Sequence, residues 1–351
     1  MNLEQIRSQI DLIDGKIIKL LNDRLSQAIM AKKFKTNIED PQREQEVFNN
    51  LELKTYDLVT PEFARRLYAI IIEEGKRLQS QDLPVIAFQG EHGAYSEMAG
   101  KAWNPQLVSI PCREFAELFE GVSDGSYDYG IIPIENTLGG VVGPVNELLI
   151  STKLYVVGAI EMPIRHCLLA VRNSDYRELR SAYSHPQALA QCKHFLERNK
   201  LDPIPYYDTA GAARMVAEKG LKGIAAIASP LAAQLYNLEI IKEQIEDSPL
   251  NTTRFLILAR EPFTGKGEKC SIIFSTAHKA GTLFKVLEIF AKAKINLTRI
   301  ESVPKSPGQY AFFLDFIGSK DDPKVEKVLE EVEQTTSDFR LMGCYLERIM
   351  A

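Results

Sequence analysis

Asn251-Thr252-Thr253-Arg254-Phe255 follows the turn-prone run Glu246-Asp247-Ser248-Pro249 and opens an apolar stretch, Phe255-Leu256-Ile257-Leu258-Ala259. Polar groups gathered ahead of such a run mark the entrance of a buried strand. A hydroxyl, a guanidinium and an aromatic ring side by side suit an anionic, ring-shaped ligand. Arginine clamps a carboxylate with two parallel hydrogen bonds, and threonine can donate one to a departing oxygen. Taken alone, the five residues are better described as a Thr/Asn turn before a strand, with Arg254 solvated. The flanking chain has to decide between the two readings.

Upstream, from Pro84, strand and helix patterns alternate. A strand at 85–88 ends at Gln89-Gly90-Glu91-His92-Gly93-Ala94-Tyr95-Ser96, where a helix follows. Strands at 107–110 and 129–134 flank a helix at 113–124. Segments 154–160 and 165–171 are expected to cross between two lobes. Helices at 187–199, 210–219 and 230–238, with a strand at 224–228, build the second lobe. Such alternation predicts largely parallel sheets with a ligand crevice at the strand ends. Three polar clusters fall at those ends: Glu135-Asn136-Thr137, Ser184-His185-Pro186-Gln187 and Asp208-Thr209-Ala210.

Residues 1–36 read as one helix. Leu3, Ile6, Ile10, Ile13, Ile17 and Leu20 form a heptad seam, which Arg24 and Gln27 interrupt before Ala31 and Phe34 resume it. A cation in such a seam is either half of a register-fixing polar pair or part of an anion site. Arg24 and Lys35 lie about three helical turns apart on nearly one face. Arg7 lies roughly 25 Å along the axis from Arg24, so a small ligand touching both needs a second copy of the chain. Asp40-Pro41 and Thr60-Pro61 each start a further helix, as N-cap and first helical residue. Arg43 and Glu44 follow in the first turn of one. In the other, at 61–81, Phe63, Leu67, Ile70, Ile71, Glu74 and Leu78 are expected on the inner face, while Gly75 and Gln79 share a face.

Downstream, the linker 261–269 precedes strands at 270–276, 296–303, 310–316 and 339–345 and helices at 281–293 and 323–335. The order βαββαβ is the ferredoxin-like plan.

The 351 residues exceed what one core holds, so a multidomain chain is expected. A net charge of −5 without a basic tract argues against nucleic acid as the partner. No apolar run is long enough for a bilayer, and the first residues, Met1-Asn2-Leu3-Glu4, lack the form of a signal peptide. Cys112, Cys167, Cys192, Cys270 and Cys344 are an odd number without Cys-x-x-Cys spacing. They read as reduced, mostly buried thiols of a cytoplasmic protein. His92, His166, His185, His194 and His278 show no zinc spacing, and Cys192 with His194 is too few for a metal. Gly90-x-x-Gly93 is not a dinucleotide fingerprint, and neither a phosphate loop nor a Gly-x-Ser-x-Gly elbow is present. Neither metal nor cofactor is expected.

Three resemblances settle the reading. Arg7, Arg24, Lys35, Asp40, Arg43-Glu44 and Gln79 fall at the spacings of the all-helical chorismate mutases, which residues 1–81 resemble. Residues 84–262 resemble prephenate dehydratase. They do so through Gly90-x-x-Gly93-x-x-Ser96, Pro133-Ile134-Glu135-Asn136-Thr137, Ser184-His185-Pro186-Gln187-Ala188-Leu189-Ala190-Gln191-Cys192, Tyr207-Asp208-Thr209-Ala210 and Asn251-x-Thr253-Arg254-Phe255. This match overturns the turn reading of the opening stretch. Residues 270–351, with His278-Lys279-Ala280-Gly281-Thr282-Leu283 and Asn296-Leu297-Thr298-Arg299-Ile300-Glu301-Ser302-Val303-Pro304, resemble the ACT regulatory domain.

The resemblances imply an all-α mutase domain, a two-lobed α/β dehydratase domain like a periplasmic solute-binding protein, and a ferredoxin-like ACT domain. They imply conversion of chorismate to prephenate, then of prephenate to phenylpyruvate with loss of carbon dioxide and water, under feedback by L-phenylalanine. Arg7, Arg24, Lys35, Asp40, Arg43, Glu44 and Gln79 would bind chorismate, with Lys35 and Gln79 catalytic and Arg7 supplied by the partner of a homodimer or homotetramer. Thr253 would be the catalytic threonine. Ser96, Glu135, Asn136, Thr137, Ser184, Gln191, Thr209, Arg254 and Phe255 would line the prephenate cleft. Gly281, Leu283, Asn296, Leu297 and Ser302 would hold phenylalanine between two chains. Two positions depart from the families, which usually carry serine at Gly75 and arginine at Val303. A dehydratase with an inactive helical dimerisation arm and a non-enzymatic amino-acid sensor are the alternatives.

Overall fold

The computed structural model describes residues 3–277, 279–306 and 309–350. The expectations that rested on His278 and on Met1-Asn2 lie outside the described residues. Three helices open the chain: α1 (Leu3–Lys32), α2 (Pro41–Glu52) and α3 (Pro61–Ser80). Asp40 Oδ1 accepts from the Arg43 amide at 3.0 Å and Thr60 Oγ1 from the Phe63 amide at 3.2 Å, so both caps form where the residue types place them. The first helix ends four residues short of the expected 36, in a turn at Lys33–Lys35. The inner face of α3 is Ala64, Ile71, Gly75 and Gln79. Phe63, Leu67 and Ile70, expected there, are exposed, and so are Leu3, Ile6, Ile10, Ile13, Ile17 and Leu20 of the α1 seam. One copy of the chain does not cover this apolar surface.

Two α/β lobes follow. The first starts with β1 (Val85–Gln89), α4 (Tyr95–Trp103), β2 (Val108–Cys112) and α5 (Phe115–Asp124). It continues with β3 (Tyr129–Asn136), β4 (Gly140–Val141), α6 (Gly143–Ser151) and β5 (Tyr155–Pro163). The chain then crosses into β6 (Cys167–Ala170), β7 (Ser181–Ser184), α7 (Pro186–Gln191), α8 (Lys193–Arg198) and β8 (Asp202–Pro205). After α9 (Thr209–Lys219), β9 (Ile224–Ala228), α10 (Pro230–Leu235) and β10 (Glu239–Lys242) it returns as β11 (Thr252–Ala259). The sheets have the orders β5-β11-β3-β1-β2 and β10-β6-β9-β7-β8. Neither is wholly parallel. The returning β11 enters the first sheet from the far lobe and therefore runs antiparallel to both β3 and β5. The helix expected over 187–199 breaks at Cys192 into α7 and α8.

The last domain comprises β12 (Lys269–Ser275), α11 (Thr282–Lys292), β13 (Leu297–Ser306), β14 (Gln309–Ile317), α12 (Pro323–Thr335) and β15 (Asp338–Tyr345). Its antiparallel sheet, β13-β14-β12-β15, is the ferredoxin-like arrangement. Alternation splits β12: Cys270, Ile272 and Phe274 pack under the two helices, whereas Ile273 faces the other way. That second face, with Val303, Ala311, Phe313 and Met342, packs on Leu256 and Leu258 of β11 and on Ile132 and Ile134 of β3. A terminal strand, β16 (Glu347–Ile349), then joins the first-lobe sheet beside β5.

The thiol expectation needs one correction. Cys112, Cys167 and Cys192 are free and buried, but Cys270 and Cys344 form a disulfide. They face each other in register across β12 and β15 with Cα atoms 4.1 Å apart. A sequence separation of 74 residues hides that proximity.

Candidate active sites

The three helices enclose a cavity of about 290 Å³ that gathers Arg24, Lys35, Asp40, Arg43, Glu44 and Gln79. Six of the seven residues assigned to chorismate therefore meet, and Arg7, on the exposed distal part of the same unbroken helix, does not. Arg24 lies 5.7 Å from the ring centre of Tyr68 and forms no ion pair among the described residues. Lys35 reaches Asp40 at 3.7 Å, and Arg43 pairs with Glu46 at 2.9 Å. Gln79 donates one amide hydrogen to the Ala28 carbonyl at 2.6 Å, which leaves its other hydrogen for a ligand. A Cβ built at Gly75 meets Ala28 Cβ at 3.5 Å, an ordinary contact, so packing does not require glycine there. One charged lining residue escaped the sequence reading: Lys76, paired with Glu44 at 2.6 Å.

In the two-lobed domain, Thr253 faces Asn136 directly across the β3–β11 ladder. Asn136 Nδ2 donates to Thr253 Oγ1 at 2.9 Å. The orientation of that amide is fixed, because Asn136 Oδ1 accepts from the backbone amides of Leu138 (3.0 Å) and Gly139 (2.6 Å). Among the described residues no acceptor takes the Thr253 proton, so the hydroxyl is set as a donor. Behind Asn136 stands Gln191, expected in the cleft, and with it His166 and Tyr95, which the sequence reading did not assign to the site. Gln191 Nε2 donates to Asn136 Oδ1 at 3.1 Å, and Gln191 Oε1 receives Asn251 Nδ2 and His166 Nε2. Burial holds the His166 imidazole below its ordinary pKa, and its Nδ1 lies 3.0 Å from the Tyr95 hydroxyl. The Tyr95 hydroxyl also reaches the Arg165 carbonyl at 2.8 Å, so its single proton serves either that oxygen or His166 Nδ1.

Strand alternation divides the remaining expected cleft residues. Glu135 and Arg254 are also register partners, but on the opposite face from Asn136 and Thr253. Arg254, 5% exposed, is placed at the domain junction: its guanidinium meets Asp315 at 2.6 Å, Glu347 at 2.5 Å and the Tyr345 hydroxyl at 3.1 Å, all in the C-terminal segment. Burial opposes the charge on Arg254, but these anionic neighbours outweigh it and raise its pKa. Glu135 lies 3.5 Å from Arg254 and 3.4 Å from Arg299 at the same junction. Phe255 is 2% exposed and packs in the sheet core with Phe88 and Ile160. Ser184 is fully buried, donates to the Ile227 carbonyl at 2.6 Å and ties two strands together.

Thr137 donates to the Leu250 carbonyl at 2.7 Å and accepts from the Thr252 amide at 3.0 Å, which pins the approach to Thr253. Ser96 and Thr209 sit in the first turns of α4 and α9, where backbone amides favour anions. The two lobes touch at the mouth. Glu91 meets Arg214 at 2.8 Å and the Tyr207 hydroxyl at 3.0 Å, and Tyr236 donates to the His92 carbonyl at 2.8 Å. Gly90, with φ +115°, lets the chain pass Asp208, whose Oδ2 lies 3.0 Å from where a Cβ would be. Burial pushes the Asp208 carboxyl above the ordinary range.

In the C-terminal domain a cavity of about 380 Å³ includes Gly281, Leu283 and Phe312. Ser302 pairs with Phe312 in register, but Asn296 and Leu297 lie beyond the far end of α11. One chain does not gather all five residues assigned to phenylalanine. Val303, 7% exposed, is on the face toward the first lobe rather than in this cavity.

Residues 6–80 match the family chorismate mutase type II, residues 86–263 prephenate dehydratase, and residues 271–334 the ACT domain. The bifunctional chorismate mutase/prephenate dehydratase of Aquifex aeolicus is 34% identical, the match covering 99% of each chain. Arogenate dehydratase/prephenate dehydratase 2 of Arabidopsis thaliana is 41% identical over 74% of this chain and 72% of its own. The structure of prephenate dehydratase from Arthrobacter aurescens in complex with L-Phe superposes with a TM-score of 0.70 at 27% identity, covering 75% of this chain and 89% of that one. By fold, site and full-length similarity, this chain belongs to the family of bifunctional chorismate mutase/prephenate dehydratases with an ACT domain.

Proposed function

We propose that the chain rearranges chorismate to prephenate in its helical domain and converts prephenate to phenylpyruvate at Thr253, under feedback by phenylalanine. The observation that carries the reading is the meeting of Asn136 and Thr253 across the β3–β11 ladder, with the threonine proton left free. The first reaction is pericyclic and needs no nucleophile, so orientation and charge do the catalysis. Arg24 would hold a carboxylate, while Lys35 and the free Gln79 hydrogen stabilise the developing charge on the ether oxygen. Arg7 of a second copy would complete the cavity, which fits the uncovered seam on α1. The working unit is then a homodimer or homotetramer, and its place is the cytoplasm.

In the second reaction aromatisation supplies the driving force, and the site has to protonate the departing hydroxide. Asn136 supports Thr253 as that donor. With Arg254 committed elsewhere and Asp208 capping α9, Ser96, Thr209 and the uncapped amino-terminal turn of α4 are left to receive the carboxylates. The complex of the Arthrobacter aurescens relative with L-Phe supports phenylalanine as effector. The name of the Arabidopsis relative raises arogenate as a second substrate. A helical domain that makes prephenate in the same chain favours prephenate.

The test is to give purified protein chorismate and to assay prephenate and phenylpyruvate separately, with prephenate and arogenate compared as substrates for the second step. Thr253→Ala should still consume chorismate but lose most phenylpyruvate formation, and Thr253→Ser should keep part of it. Near-normal phenylpyruvate formation by Thr253→Ala would defeat the assignment.

A further inference from the structure

The inner face of α3 that lines the helical cavity is a stripe at helical spacing: Ile72, Gly75, Lys76 and Gln79. The stripe offers a ligand few donors. Gly75 has no side chain, and Gln79 has one hydrogen engaged with the Ala28 carbonyl. Lys76 does not turn to solvent. Its ammonium reaches across to Glu44 on α2 at 2.6 Å, and Glu44 lines the same cavity. The pair is partly shielded, with side-chain exposures of 34% and 27%.

Charge bears on the same point. Arg24, Lys35, Arg43 and Lys76 bring four cations to the lining, against the carboxylates of Asp40 and Glu44. Arg7 of a second copy would add a fifth cation, and Lys76 is one of the charges that leave the lining net positive toward a dianion. Arg43 is already paired with Glu46, and Lys35 stands close to Asp40. Lys76 is therefore one of the cations that give the lining its positive balance.

We infer that Lys76 is a ligand-binding residue of the helical site: its ammonium, steered by Glu44, donates to the bound dicarboxylate from the α3 side. The inference rests on the chorismate mutase reading above and adds a residue to it. Ligand entry turns the Lys76–Glu44 pair into a three-membered cluster, in which Glu44 positions the ammonium and the substrate anion shares it. A charge-assisted contact of this kind is the stronger type of hydrogen bond and is sensitive to salt.

The experiment uses the full chain with Lys76→Met and Lys76→Arg, assayed for chorismate consumption at low and high ionic strength. Thermal unfolding and prephenate dehydration are followed in parallel. Lys76→Met should raise the KM for chorismate about tenfold or more, with kcat changed less than about threefold. It should also flatten the rise of KM with salt. Lys76→Arg should stay within about threefold of wild type, because the charge and a donor survive. Dehydratase activity and the melting temperature should not move. A Lys76→Met KM within twofold of wild type overturns the inference, and so does a loss of mutase activity that tracks a fall in melting temperature. Wild-type protein that fails to consume chorismate overturns the mutase reading itself, which separates the two failures.

Discussion

Replacing Arg254 by methionine keeps the length of the side chain and removes its charge. Asp315 and Glu347, 2.6 and 2.5 Å from the guanidinium, then lose their partner. Asp315 is 3% exposed and, among the described residues, has only Ser271 as a further close side-chain donor, at 2.5 Å. Glu347 keeps Lys269 at 2.6 Å, so the penalty falls mainly on Asp315. Removing one partner of a buried ion pair costs about 3–5 kcal/mol, and the surviving Lys269 contact argues for the lower end, about 3 kcal/mol. Trp103 is the only tryptophan and reports on this region. It packs edge-on against Tyr129, and its carbonyl accepts from Arg348 on β16 at 2.7 Å. Its fluorescence should therefore follow unfolding of the sheet that holds β11 and β16. For a urea slope of about 2 kcal/mol/M, the midpoint should fall by about 1.5 M. Arg254→Met with Asp315→Leu removes both charges and should recover most of the loss. The KM for prephenate should change little in either protein, while kcat falls as the neighbouring Thr253 loses its support. If Arg254 instead clamps a substrate carboxylate, Arg254→Met would unfold at the wild-type midpoint with a KM raised tenfold or more. That result would refute the assignment to the domain junction.

Three further expectations follow from the same geometry. Asn136→Asp places an acceptor where an amide now donates, so it should capture the Thr253 proton and lower dehydratase kcat by about 100-fold; activity within tenfold of wild type would show that the amide does not orient the hydroxyl. Arg7→Ala and Arg24→Ala should each abolish mutase activity and spare the dehydratase, and mixing the two under subunit exchange should restore part of it. Verified exchange without any recovery would mean that each site is built from a single chain. Gly75→Ala should stabilise the helical domain by up to about 1 kcal/mol, since a Cβ fits there and glycine is the poorer helix former; a lower melting temperature would point to a strained backbone that the contact distances do not show.

The helical site was legible in the sequence almost residue for residue. Helix periodicity is local, and the caps at Asp40 and Thr60 fix where α2 and α3 begin. The chorismate mutase resemblance named Arg24, Lys35, Glu44 and Gln79, and the packing of the three helices brings them to one cavity. Lys76 escaped because a lysine on a helix reads as solvated until a partner on another helix is seen. The exposed seam was also misjudged in part: Phe63, Leu67 and Ile70 follow the apolar pattern, yet the single chain leaves them uncovered.

The dehydratase cleft was legible as a set of motifs but not as a geometry. The sequence determined that polar clusters stand at strand ends, and that Thr253 belongs to one of them. It also determined the alternation that separates Thr253 from Arg254 and Asn136 from Glu135. It did not determine which face of β11 looks into the cleft, because both faces are buried and both read as apolar. The fold decided that by laying the C-terminal sheet on one face, which drew Arg254 and Glu135 into the junction with Asp315, Glu347 and Arg299. The β3–β11 register then set Asn136 opposite Thr253 across a separation of 117 residues. Residues adjacent in a motif point apart along a strand, whereas residues far apart in the chain meet through pairing. Local sequence carries the first relation, and only the tertiary structure supplies the second.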